Sequence, residues 1–230
     1  MTAVDLVVLA KAPAPGRTKT RCTPPCTPEQ AAALAASALA DTLATVRATP
    51  ARRRLLVLDG EPGRWLPPGY EVLPQRGGGL DERLDAAMAD AFGARPAVPV
   101  LLIGMDTPQV TVPVLADASR RLVEGADAVL GPAADGGYWA VGLQRPTPDA
   151  FVGVPMSAAT TGAEQHRRLR GLALGVEVLA ELRDVDTWAD AVAVADEVPA
   201  SGFAAIVGRI RRLGPGGPLA AQCGAVPAGR

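Results

Sequence analysis

Short apolar runs alternate with amphipathic stretches along the chain. Leu6-Val7-Val8-Leu9, Leu55-Leu56-Val57-Leu58 and Val100-Leu101-Leu102-Ile103 are fully apolar and only a strand long. Runs of this kind predict buried strands covered on both faces. Segments 71–73, 126–130, 138–143 and 176–179 predict further strands. Thr27-Pro28-Glu29-Gln30 reads as a helix start, with Thr as N-cap, Pro at the first helical position and Gln closing a capping box. Leu34, Ala38, Leu39, Leu43 and Val46 would form that helix's apolar face. Leu80, Leu84, Met88 and Ala91 carry a second helix at helical spacing. Further helices are expected over 112–123, 162–172 (capped by Thr161 with Glu164), 187–198 and 201–213. Strand–helix alternation in the first half implies a parallel sheet with right-handed crossovers. Such sheets bind ligands at the carboxyl ends of their strands. The loops after Ala10, Gly104 and Gly131 are therefore where chemistry belongs.

Composition narrows the choice. The chain has 230 residues, 48% hydrophobic and 20% charged, an ordinary globular balance. Its 23 basic residues nearly cancel 24 acidic ones. That argues against a role in coating nucleic acid or an anionic membrane. The single histidine, His166, excludes multi-histidine metal sites, and its neighbours Gln165, Arg167, Arg168 and Arg170 suggest an exposed helix. Cys22, Cys26 and Cys223 form no disulfide framework and point to a reducing compartment. The N-terminal apolar run is short and precedes its first positive charge, the reverse of a signal peptide. The apolar runs also fall short of a bilayer span. A cytoplasmic protein is expected, with no membrane or nucleic-acid partner. Residues 214–230, rich in Gly, Pro and Ala, are expected to be a disordered tail after a domain over 1–213.

Five loops could carry chemistry. Lys11-Ala-Pro-Ala-Pro-Gly16-Arg17-Thr18-Lys19-Thr20-Arg21 holds four cations, stiffening prolines and a glycine, which suits a polyphosphate. It holds both lysines of the chain; every other basic residue is arginine. Asp106, directly after the 100–103 strand, could hold Mg²⁺ or cap a helix. Asp184 and Asp186 would point to one side of an extended chain, as a metal pair does; capping of the next helix by Asp186 or Thr187 is the other reading. In Gly131-Pro-Ala-Ala-Asp135-Gly136-Gly137-Tyr138-Trp139, the aromatics could stack on a base or sugar, or simply fill a core. Gln75-Arg76-Gly77-Gly78-Gly79 is a flexible loop before a helix.

In this order, these segments make the chain resemble the GT-A-like nucleotide-diphospho-sugar transferase superfamily. The nearest likeness is to the bacterial rSAM/selenodomain-associated transferases, whose members are named as glycosyltransferases, over roughly residues 5–197. The first loop is also similar to that of 2-phospholactate guanylyltransferases. Two segments depart from the pattern: Gly78-Gly79-Leu80-Asp81 and Met156-Ser157-Ala158.

The resemblance implies a single-domain, three-layer α/β/α GT-A-like fold with a mostly parallel mixed sheet. It implies a Mg²⁺- or Mn²⁺-dependent transferase taking a nucleotide or nucleotide-sugar donor and a small-molecule acceptor, with a homodimer left open. Lys11, Gly16, Arg17, Lys19, Arg21, Gln75, Gly77 and Gly78 would bind the nucleotide and its phosphates; Lys19 and Asp106 would be catalytic. Asp106, Asp184 and Asp186 would hold the metal, and Asp135, Gly136, Gly137, Tyr138 and Ser157 would face the acceptor. The leading expectation is nucleotidyl transfer from an NTP to a phosphate or phosphonate, releasing pyrophosphate. Such an acceptor needs no general base, which suits a chain with one histidine. Glycosyl transfer from a nucleotide sugar is the alternative, with Asp135 as a candidate base. A non-catalytic nucleotide-binding protein is a third reading.

Overall fold

A computed structural model describes residues 4–93 and 97–214. Its strands are β1 (Asp5–Lys11), β2 (Arg53–Asp59), β3 (Glu71–Pro74), β4 (Val100–Gly104), β5 (Ala128–Pro132), β6 (Tyr138–Leu143) and β7 (Val176–Val178). Its helices are α1 (Pro28–Ala48), α2 (Leu80–Phe92), α3 (Val112–Glu124), α4 (Thr161–Gly171), α5 (Trp188–Glu197) and α6 (Gly202–Leu213). The strands form one sheet in the order β3-β2-β1-β4-β6-β5-β7. Only β6 runs against its neighbours, pairing antiparallel with β4 and β5. The expected α/β fold with a mostly parallel mixed sheet is therefore present.

The apolar strands are buried on both faces, as their composition requires. Along β1, Leu6 and Val8 pack with Leu39 and Leu43 of α1 and Leu115 and Leu122 of α3. Val7 faces the other way, toward Leu84 and Met88 of α2 and Leu169 of α4. Alternation along the strand thus separates two cores and makes three layers.

The α1 helix has a second apolar side. Leu34 and Ala38 pack against Val194 of α5 and Phe203 and Val207 of α6. This double burial explains why α1 is apolar nearly all round. By length and composition it is also long enough to cross a membrane, contrary to the expectation that no segment is. Here it is a core helix between sheet and α5–α6.

Local signals were read correctly at α1, where Thr27 and Gln30 make the full capping box. They were misread at α4. Its N-cap is Thr160, without a side-chain capping bond. Thr161 instead donates through its hydroxyl to Pro155 O and accepts from Ala158 N. The expected tail at 214–230 lies outside the described residues, apart from Gly214.

Candidate functional site

Parallel strands bring the ends of β1, β4 and β5 to one edge of the sheet, and β6 starts at that edge. A cavity of about 370 Å³ opens there. Ten predicted site residues line it: Lys11, Arg21, Gln75, Asp106, Asp135, Gly137, Tyr138, Ser157, Asp184 and Asp186. Arg17 and Lys19 line an adjoining cleft of about 230 Å³, which shares Lys11, Arg21, Asp106 and Asp186 with the cavity. Gly16, Gly77, Gly78 and Gly136 line neither.

The first loop is folded by its own bonds. Ala14 O accepts from the Arg17 and Thr18 amides and from the Thr18 hydroxyl, while Ala14 N donates back to Thr18 Oγ1. Lys19 follows in a left-handed conformation (φ 51°) that opens a single 3₁₀ turn, Thr20–Cys22. Such a conformation is uncommon for a residue with a side chain. It accompanies a side chain that is only 6% exposed, with its ammonium 2.7 Å from Asp106 Oδ1 and 3.8 Å from Asp186 Oδ1. The same ammonium donates to Val185 O. Lys19 is thus engaged by protein carboxylates and is not a free phosphate-binding cation in this state. Arg21 is largely exposed, 3.3 Å from Asp186 Oδ2.

The Asp184–Asp186 segment is tied into place from both sides. Val185 N donates to Asp106 O, and Gln109 Nε2 to Arg183 O. The Cys22 thiol reaches Asp186 O at 3.6 Å. Helix capping is done by Thr187, which makes a capping box with Asp190, and at α3 the N-cap is Thr111. Asp106, Asp184 and Asp186 are therefore all free of capping duty.

Asp184 is half-buried and makes neither an ion pair nor a hydrogen bond among the described residues. Burial first, then Asp106, Asp135 and Asp186, push its carboxyl up to about 7, against the pull of Lys19. Hard oxygen donors with unbalanced negative charge suit Mg²⁺ or Mn²⁺. Yet among the described residues no three His, Cys, Asp or Glu side chains are gathered closely enough to hold an ion as they stand. The residue types fit a divalent ion; Lys19 holds two of the carboxylates.

On the far side of the cavity the sequence was a weaker guide. Trp139 borders the cavity but is buried, its indole N–H donates to Ala180 O and its ring lies against Gly131, so it is part of the core. Tyr138 lines the cavity, with its hydroxyl 3.3 Å from Gln165 Oε1. Burial raises its phenol above the usual range. Asp135 accepts from Gly137 N at 2.8 Å. Gly136 has φ 89°, and a Cβ there would lie 2.0 Å from Ala159 O. Its task is to let this loop approach the start of α4. Gln75 donates to Ala10 O and Val57 O, which anchors the glycine loop to β1 and β2.

One charged residue of the cavity lining was not anticipated from the sequence. Arg83 of α2 lines the cavity, with Nη1 3.4 Å from both Asp59 Oδ2 and Gln75 Oε1. A signal was available: a cation in the first turn of a helix opposes the helix dipole.

A family model described as "Uncharacterized protein conserved in bacteria (DUF2064)" matches residues 32–158. The chain belongs to that family. The matched span includes Asp106 and Asp135 but neither the first loop nor Asp184 and Asp186. No curated protein matches. The chain is similar to a crystal structure from Desulfovibrio desulfuricans G20, a "putative nucleotide-diphospho-sugar transferase", at 26% identity and TM-score 0.82, covering 91% of this chain and 95% of that one. Two more distant structures share the fold. CMP:2-keto-3-deoxy-manno-octonic acid synthetase in complex with CTP has 10% identity and TM-score 0.54, covering 90% and 99%. The Mycobacterium sp. strain JC1 homologue of Mycobacterium tuberculosis Rv0371c has 19% identity and TM-score 0.50, covering 90% and 98%.

Proposed function

We propose that this chain is a transferase using a nucleotide-activated donor, and that it moves a nucleotidyl group from an NTP to a small anionic acceptor. The observation that carries this reading is one cavity at the carboxyl edge lined by Lys11, Arg21, Asp106, Asp184 and Asp186 together. Cations and hard carboxylates in one cavity suit a polyphosphate with its counter-ion. The narrower likeness, to the rSAM/selenodomain-associated transferases, rests on the loop sequences alone.

In this reading Lys11 and Arg21 bind the phosphates from the cavity side, and Arg17 from the adjoining cleft. Asp106, Asp184 and Asp186 would hold Mg²⁺ or Mn²⁺, which supplies charge neutralisation at the phosphates. The acceptor sits toward Asp135, Gly137, Tyr138 and Ser157. An acceptor oxygen bonds to the α-phosphorus, the bond from that phosphorus to the bridging oxygen breaks, and pyrophosphate leaves with the electron pair. The acceptor is already anionic, so no proton has to be removed. This agrees with a cavity lining that holds no histidine. Positioning and charge neutralisation are then the main sources of catalysis.

A second reading is glycosyl transfer from a nucleotide sugar, with Asp135 as the base for a hydroxyl acceptor. It is favoured by the name of the Desulfovibrio desulfuricans structure. One experiment separates the two. Purified protein is offered a panel of NTPs and nucleotide sugars, with phosphate, phosphonate and hydroxyl acceptors. Pyrophosphate release from an NTP supports the first reading. Nucleoside diphosphate release from a sugar donor, with no pyrophosphate from any NTP, replaces it with the second. Nucleotide binding without turnover of either donor class leaves the non-catalytic reading.

A further inference from the structure

We infer that Lys19 is a resident counter-cation that holds Asp106 and Asp186 in the metal-free chain and has to release them when a divalent cation binds. The inference rests on the proposed role of Asp106, Asp184 and Asp186 as ligands of Mg²⁺ or Mn²⁺. It starts from a position. The Lys19 ammonium lies 2.7 Å from Asp106 Oδ1 and 3.8 Å from Asp186 Oδ1, and it donates to Val185 O between the paired aspartates. A cation bound there by protein oxygens stands where a metal ion would take the same oxygens. Mg²⁺ binds carboxylate oxygen at about 2.1 Å, so it and the ammonium contend for the same lone pairs.

The side chain has somewhere to go. Lys19 also lines the cleft beyond Asp106, together with Arg17, Thr20 and Arg21. The hydrogen bonds that fold the loop, between Ala14 and Thr18, do not involve the Lys19 ammonium, so its departure breaks none of them. However, the cleft is already lined by Lys11, Arg17 and Arg21, so a further ammonium is repelled unless a polyanion is present. Metal and polyphosphate are therefore coupled through one side chain. The ion displaces the ammonium, and the phosphates receive it. Either ligand makes binding of the other more favourable, as linkage requires. A lysine suits this better than an arginine: its ammonium is a compact point charge on a flexible stem. The chain keeps lysine only at positions 11 and 19.

Two measurements test this, both without nucleotide. Mn²⁺ affinity is measured by electron paramagnetic resonance for the wild-type chain and for Lys19→Met. Removal of the competing ammonium is expected to tighten Mn²⁺ binding by about tenfold. The second uses the wild-type chain labelled with ¹³C-lysine and titrated with Mg²⁺. Two lysines give two Cε signals, and the signal of Lys19 is expected to move in step with Mg²⁺ occupancy. This arm stands even if the variant does not fold. A Lys19 signal that stays fixed while calorimetry shows the protein saturating with Mg²⁺ overturns the inference and leaves the transferase reading in place. So does a variant that folds and binds Mn²⁺ no more tightly than wild type. If neither protein binds either ion at millimolar concentration, the proposed metal site falls along with the inference.

Discussion

The two halves of the cavity are built differently. At one end, the Lys11–Cys22 loop, Asp106 and the Asp184–Asp186 segment are laced together across long sequence separations: Lys19 to Asp106, Val185 N to Asp106 O, Gln109 to Arg183 O and Cys22 to Asp186 O. At the other end, long-range hydrogen bonds such as Gln75 to Ala10 O and Gly153 N to Asp81 are mixed with short-range ones, and the only ion pair made by the lining there, among the described residues, is the long one between Arg83 and Asp59. Asp135 holds Gly137 N, Gly78 N is held by Glu82, and Thr161 ties back to Pro155. That rim also carries an apolar wall of Leu80, Leu84 and Met156 with one guanidinium, Arg83. A charged end of interlocked ion pairs suits a fixed task, while a rim of glycine loop and apolar wall constrains side-chain identity less tightly. Both segments that depart from the resembled pattern, 78–81 and 156–158, lie in the second half or beside it.

The largest test is made at the charged end. Asp106→Asn removes the closest partner of the Lys19 ammonium and one proposed metal ligand together. The pyrophosphate release rate is expected to fall by about 10²–10³-fold, in the range seen when charge stabilisation is removed from a transition state. A fall confined to a few-fold would mean that the charged end binds but does not catalyse.

Gly136→Ala tests the rim. The new methyl would sit 2.0 Å from Ala159 O at a residue with φ 89°, so backbone has to shift. A loss of about 3 kcal/mol in urea unfolding is expected, from strain added to a close contact. A loss under about 1 kcal/mol would mean that the rim yields easily even in its backbone.

Next is the strap beneath Asp186. Burial raises the Cys22 thiol to about 11, with Lys19 pulling the other way. Its thiol ionises at higher pH in the folded chain than in the unfolded one, so this contribution to stability is complete below pH 9 and is lost as pH rises through about 11. Over that window the chain should lose on the order of 2 kcal/mol, and Cys22→Ala should lose less. Unfolding curves at pH 8 and pH 10.5 check this; parallel losses in both proteins would assign the effect elsewhere.

What was legible in the sequence follows the same division. The strands at β1, β2 and β4 were plain because burial on both faces requires uninterrupted apolar runs. Thr27 and Gln30 announced α1 because a capping box is a local device. The loop carboxylates were found because a parallel sheet sends its loops to one edge. Pairing was beyond reach: nothing local to Lys19 says that its ammonium is held by Asp106, 87 residues later. Trp139 was left open between ligand and core for a related reason. An aromatic in a glycine-rich loop can face ligand or core, and the carbonyl of Ala180 that takes its N–H is distant in the chain.

Arg83 is the smallest test and bears most directly on the acceptor. Its two hydrogen bonds are long, at 3.4 Å each, and its side chain is 34% exposed to the cavity side of α2. A guanidinium held this loosely has donors to spare for an incoming anion. It also sits in the first turn of α2, where the helix dipole already favours negative charge. Both features favour an anionic acceptor near this rim. Arg83→Met keeps the apolar stem and removes the charge. With a phosphate or phosphonate acceptor, KM for the acceptor should rise by about tenfold, while kcat and the KM for the nucleotide change little. If the nucleotide KM rises instead, Arg83 belongs with the donor and the division of the cavity has to be redrawn. If neither changes, the rim recognises its acceptor through Tyr138, Ser157 and the apolar wall, and the case for an anionic acceptor weakens with it.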